Sequence, residues 1–168
     1  LKQRGRVYFL AIACILLICL DMGIKRYVFS HISPFRGVSV FQNWLGIDFS
    51  LENVKNTGAA WGVFSSLQSY LLWGRCIIIL ALTAFIAFSK AAFGQKTALC
   101  FIVTGALGNV FDFFTYGYVV DMFHFCFWGY SFAVFNVADA VIFCAVVSLF
   151  IQQSIETKQK KHDLEKNL

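Results

Sequence analysis

Four stretches of this 168-residue chain are apolar over enough length to cross a bilayer, and no other feature of the sequence limits its fold so severely. They cover about 7–27, 70–88, 97–114 and 133–151. At a rise of about 1.5 Å per residue, each spans most or all of a hydrocarbon layer ~30 Å thick. Inside lipid every backbone N–H and C=O must be satisfied within the protein, so runs of this kind fold as helices. The expected fold is an all-α membrane protein with four transmembrane helices. Composition agrees: 59% of residues are hydrophobic and 14% charged, which excludes an ordinary soluble domain.

The first run follows Lys2, Arg4 and Arg6 and has the outline of a cleavable leader. Apolar residues nevertheless continue through Ile15-Leu16-Leu17-Ile18, where a processed chain turns polar, so the run is expected to persist as helix one. A single proline, no internal repeat and no Gly- or Ser-rich linker point to one domain over 1–168, ending in a basic tail at 152–168. An even number of spans puts both termini on one side. Nine Lys and Arg residues lie on the two tails and the Lys90–Lys96 loop, against four between helices one and two and none between helices three and four, so the tails and that loop are expected in the cytoplasm.

The net charge of +5 is spread over helix ends rather than gathered in a patch, which argues against nucleic acid as a partner. Six scattered cysteines without a Cys-x-x-Cys pair read as small lipid-facing or packing residues. Two connecting segments carry further structure. Residues 31–69 are too polar to span and alternate apolar with polar positions in Val38-Ser39-Val40 and Ile47-Asp48-Phe49-Ser50-Leu51, which predicts a small extracytoplasmic β-sheet between helices one and two. Residues 122–130, between helices three and four, are short and rich in amphipathic rings, which predicts a segment lying in the membrane interface.

A carboxylate held in hydrocarbon costs about 2.5–3.5 kcal/mol on insertion scales, so an acid retained there is a candidate for function. Asp21, Asp112, Asp121 and Asp139 lie toward the outer ends of the expected helices, with Asp139 about eight residues, or ~12 Å, into helix four. Asn109 and Asp112, and likewise Asn136 and Asp139, are three residues apart, a spacing that shares one helix face. Amide–acid pairs of this kind also serve as interhelical hydrogen bonds, with Gly105 and Gly108 allowing close approach. Two such pairs with Asp121 between them favour a site. No His-Glu-x-x-His or Gly-x-Ser-x-Gly occurs, and His31, His124 and His162 do not make a metal-ligand set, so neither metal nor cofactor is expected. His124 reads as an interfacial histidine. A small proton- or cation-coupled transporter, or a scaffold glued by polar residues, remains the alternative; neither repeated halves nor broken helices support a transporter. These arguments do not choose between Asp112 and Asp121.

Five segments in order, Asp21-Met22-Gly23-Ile24-Lys25, Asn56-Thr57-Gly58-Ala59-Ala60, Gly105-Ala106-Leu107-Gly108-Asn109-Val110-Phe111-Asp112, Gly117-Tyr118-Val119-Val120-Asp121 and Phe135-Asn136-Val137-Ala138-Asp139, resemble the motifs of lipoprotein signal peptidase, or signal peptidase II. The resemblance implies an aspartic endopeptidase of the bacterial plasma membrane, with Asp121 and Asp139 as its catalytic dyad. It further implies that Asn56, Gly58, Asn109, Asp112 and Asn136 line or brace the site, joined by Asp21 and Lys25 from helix one. The implied substrate is a diacylglyceryl-modified prolipoprotein cleaved before its lipidated cysteine at the outer leaflet, by a monomer needing no cofactor. Three positions depart from the family pattern: Met22 where Gln is usual, Trp61 where Phe is usual, and Phe113 where Arg is usual.

Overall fold

In the computed structural model, which describes residues 2–34, 36–58 and 67–166, four long helices stand beside one small sheet. The helices are α1 (Lys2–His31), α2 (Gln68–Phe88), α3 (Phe93–Tyr116) and α4 (Val137–Lys166). All four are long and apolar enough to cross a membrane. Large apolar side chains such as Phe9, Leu16, Ile77, Leu80 and Phe143 face outward, as lipid-facing helices require.

Helix α3 is central and packs on each of the other three. Its buried residues explain why: Ala98, Gly105, Gly108, Asn109 and Asp112 are small or polar, so neighbouring helices can approach closely and be joined by hydrogen bonds. A Cβ on Gly105 would sit 2.6 Å from the Ala138 carbonyl of α4, and one on Gly108 would sit 2.8 Å from the Asp21 carboxylate of α1. Against α2 the seam is hydrocarbon, with Leu72, Ile79 and Val110 buried and Phe113 packed on them. Gly105→Ala is therefore expected to lower the melting temperature in detergent by several degrees, from about 1–3 kcal/mol of overpacking. Gly74→Ala, on α2 with nothing within 4 Å of the added methyl, should be neutral or slightly stabilising. Equal melting temperatures for the two variants would contradict this packing.

At one end of the helices, β1 (Val38–Trp44), β2 (Ile47–Asn56), β3 (Val119–Phe127) and β4 (Tyr130–Ser131) form an antiparallel sheet in the order β1-β2-β3-β4. The expected hairpin between the first two helices is β1–β2, closed by Leu45 and Gly46, both at positive φ. The segment expected along the interface folds as β3 and β4, closed by Trp128 and Gly129 in the same way. Its strand character was hidden because both faces are apolar, which erases alternation. Val120 and Met122 pack on Val28 of α1 and on Ile32 just beyond it, while Phe123 and Phe125 make ring contacts with Phe49 and Phe135. The register Asn56↔Val119 through Ile47↔Phe127 binds β3 to the hairpin, so the sheet is built from both connecting segments.

The last helix also differs from expectation. Residues 133–136 are extended, with Phe135 bridged to Phe123, and α4 begins at Val137. Asp139 accordingly lies in the first turn and not about eight residues inside. At its other end α4 continues to Lys166, so most of the expected tail is helical.

Candidate active site

The site forms where α1, α3, the start of α4 and two strands meet. Lys25 is its structural centre and is fully buried. Its ammonium donates a hydrogen bond to Asn109 Oδ1 at 3.0 Å and forms ion pairs with Asp21 Oδ2 and Asp112 Oδ2, each at 2.7 Å. The i,i+4 spacing brings Asp21 to Lys25 on α1, and the i,i+3 spacing brings Asn109 and Asp112 to it on one face of α3. The same acids take backbone donors from two more elements. Asp21 Oδ1 accepts the Ala138 N–H of α4 at 3.0 Å, and Asp112 Oδ2 accepts the Val120 N–H of β3 at 3.1 Å. Burying two carboxylates is tolerable because each has both a cation and a peptide dipole.

A second pair of acids sits on the far side of two asparagines. Asp121 of β3 accepts Asn56 Nδ2 on Oδ2 at 2.9 Å and Asn136 Nδ2 on Oδ1 at 2.7 Å. Asp139 accepts Asn109 Nδ2 on Oδ1 at 2.8 Å and the Asn136 N–H on Oδ2 at 3.3 Å. The Asn136 side chain returns the favour, its Oδ1 accepting the Asp139 N–H at 2.9 Å while its own carbonyl takes the first helical bond, from Ala140 at 3.2 Å. This reciprocal arrangement is a capping box at the start of α4. The spacing of Asn136 and Asp139, expected to mark one helix face, thus marks a helix start. Capping and site building use the same two residues. Asn136, fully buried, bonds to both carboxylates and also donates to Asn109 Oδ1 at 3.0 Å.

All nine residues singled out from the sequence fall in this one bonded network: Asp21, Lys25, Asn56, Gly58, Asn109, Asp112, Asp121, Asn136 and Asp139. Gly58 takes part through its N–H, which donates to Asn56 Oδ1 at 2.9 Å. The two candidate acids left unseparated by the sequence differ in surroundings. Asp112 faces Lys25, whereas Asp121 faces amides and the Asp139 side of the network. The Asp121 carboxyl is pushed up to about 7, first by burial and then by the negative charge of Asp139, with the amides of Asn56 and Asn136 pulling the other way.

One residue passed over in the sequence is Arg75 of α2, whose Nη2 donates to the Gly58 carbonyl at 3.0 Å. The available signal was a charge inside an otherwise apolar span. Of the departures, Met22 points outward, Phe113 packs in the α2–α3 seam, and Trp61 lies outside the described residues. His124 bonds to Glu52 at 2.6 Å and Ser131 at 2.8 Å, cross-linking β2, β3 and β4.

Comparison with known proteins agrees with this architecture. The sequence model of the family described as signal peptidase (SPase) II matches residues 13–155. A lipoprotein signal peptidase of Streptococcus pneumoniae is 34% identical over 90% of this chain and 94% of that protein. The corresponding protein of Bacillus pumilus is 32% identical over 91% and 97%. That of Chlamydia pneumoniae is 37% identical over 70% and 71%. A solved structure described as a bacterial membrane enzyme superposes with a TM-score of 0.81 at 25% identity, covering 92% of each chain.

Proposed function

Because the chain belongs to the signal peptidase II family, we propose that it removes the signal peptide from diacylglyceryl-modified prolipoproteins by aspartic catalysis at Asp121 and Asp139. It is a multi-pass bacterial membrane protease. The observation that carries the mechanism is the bridging of two carboxyls by one buried asparagine, Asn136, in a network that gives them amide donors and, among the described residues, no ion-pair partner. Two such carboxyls share a proton, and the pair titrates as a unit.

In this dyad Asp121 takes the part of the protonated member and Asp139 that of the charged one. Asp139 takes a proton from a water molecule as its oxygen attacks the scissile carbonyl carbon, while the Asp121 hydroxyl gives its proton to the carbonyl oxygen. The tetrahedral diol then collapses. Asp139 returns its proton to the departing amine, the C–N bond breaks, and a diol hydroxyl gives its proton back to Asp121. The products are a signal peptide with a free carboxylate and a lipoprotein with a free amino-terminal cysteine. The substrate enters laterally, its signal helix among the helices and its acyl chains in lipid, with the sheet above the cut.

The protein purified in detergent should shorten a diacylated prolipoprotein on a gel, and act poorly on the same precursor without lipid. Equal cleavage of both would sink the substrate assignment. The rate should also fall above about pH 7, as Asp121 loses its proton, and again in acid, as Asp139 gains one. A rate that keeps rising through pH 9 would contradict a protonated Asp121.

The Lys and Arg asymmetry supports cytoplasmic termini, with the sheet and the site toward the outer leaflet. In a variant without native cysteines, an impermeant thiol reagent added outside should label a cysteine at exposed Val40 and spare one at Gln159. The opposite labelling would put the site on the wrong side for exported substrates.

A further inference from the structure

A cation at the α2 wall of the site has no part in the proton transfers just described. Arg75 lies about two turns into a membrane-spanning helix, where an arginine is expensive to keep. Among the described residues no carboxylate is within ion-pair distance of it, and its polar partner is a backbone carbonyl, that of Gly58. From there the donors run in one direction. Arg75 donates to Gly58 O at 3.0 Å, Gly58 N–H donates to Asn56 Oδ1 at 2.9 Å, and Asn56 Nδ2 donates to Asp121 Oδ2 at 2.9 Å.

We propose that Arg75 is a positioning residue for Asp121, acting through the Gly58 backbone and the Asn56 amide. The reasoning turns on which way that amide points. An asparagine side chain presents oxygen on one side and NH2 on the other, and only the NH2 side can support a carboxylate. The Gly58 N–H fixes the choice by claiming Asn56 Oδ1. The Gly58 segment in turn needs an anchor, since Gly58 is separated from β2 by one residue, and the guanidinium supplies it from a rigid helix. Released, the segment can turn its N–H away and let the Asn56 oxygen face Asp121, which repels the ionised carboxyl. Arg suits this post because its planar fork holds a fixed direction, whereas a lysine ammonium is a mobile point charge.

The inference rests on the reading of Asp121 as half of the reacting pair, and kinetics separate the two. With a diacylated prolipoprotein in detergent, Arg75→Met should lower kcat about 10- to 100-fold, the size of loss that slight misplacement of a reacting group produces. KM should change little. Arg75→Lys should recover part of the loss. The limb of the pH profile assigned to Asp121 should move to higher pH, because the Asn56 donor that pulls this carboxyl down is lost. Asn56→Ala combined with Arg75→Met should be no slower than Asn56→Ala alone, since both break one chain. Should Arg75→Met fail to insert, Arg75→Lys carries the same test, with a smaller loss of kcat that again does not multiply with Asn56→Ala. Unchanged kcat in the folded Arg75 variants, or losses that multiply in the double variant, would overturn the proposal. An active Asp121→Asn protein would instead remove the reading beneath it, whereas an inactive Asp121→Asn beside wild-type Arg75 variants would remove this inference alone.

Discussion

Asp121→Asn and Asp139→Asn should each cut turnover by at least about a thousandfold, and the double variant should be little worse than either. The amide keeps the shape of the acid but neither gives up nor accepts the proton that hydrolysis requires. Non-additivity follows from the proposed mechanism, in which the two carboxyls act on one water and one carbonyl, so that the loss of either already removes the shared step. Folding should survive. Asp121→Asn removes the cost of charging a buried group but turns one NH2 toward Asn56 or Asn136, a loss of about 1–3 kcal/mol that the packing around β3 absorbs. Asp139→Asn weakens the capping box with Asn136, a loss of about 1 kcal/mol that leaves α4 held by its packing on α3. Asp112→Asn is the contrasting variant. Its carboxyl serves Lys25 and the Val120 N–H, so the amide should melt earlier yet retain measurable cleavage. A dead but fully stable Asp112→Asn protein would move the reaction to Lys25 and its partners.

The largest loss of stability should come from Lys25→Met. The ammonium answers three oxygens on two helices, and two of them belong to carboxylates only 2% exposed. Methionine fills much of the same space and leaves Asp21 and Asp112 facing each other without a cation. Breaking a buried ion pair in this way costs about 3–5 kcal/mol, enough to unfold a marginal protein at ambient temperature. Adding Asp21→Asn to Lys25→Met should restore part of the loss by removing one orphaned charge. Thermal denaturation and size exclusion in detergent read both effects. A Lys25→Met protein as stable as wild type would show that the two acids are held by something else.

Much of this was legible in the amino-acid sequence because lipid is a severe solvent. Acids and amides inside apolar runs stand out when no water excuses them, and Asp21, Asn109, Asp112, Asn136 and Asp139 all announced themselves that way, whereas Lys25 was marked only by the family resemblance. The β1–β2 hairpin was visible because polar and apolar residues alternate along it. What stayed hidden had identifiable physical causes. Residues 119–127 form a strand with apolar residues on both faces, so their alternation carried no contrast. The start of α4 was placed four residues early because Ala133, Val134 and Phe135 are as apolar as the helix that follows, and only Asn136 and Asp139, read as a cap, mark the true boundary. The choice between Asp112 and Asp121 depended on which acid meets Lys25, a contact between helices that no local spacing encodes. Arg75 acts on a glycine carbonyl seventeen positions away, and a backbone partner leaves no mark in a sequence.

The central claim is hydrolysis by a shared-proton pair in the membrane, and product analysis tests it most directly. Wild-type protein and a folded Asp139→Asn variant would each be incubated with a diacylated prolipoprotein in 18O-labelled water, and the products weighed by mass spectrometry. Wild type should release a signal peptide ending just before the lipidated cysteine, with one labelled oxygen in its new carboxylate, and Asp139→Asn should release none. Cleavage by the Asp139→Asn protein at the wild-type rate, with the same labelled product, would contradict the claim.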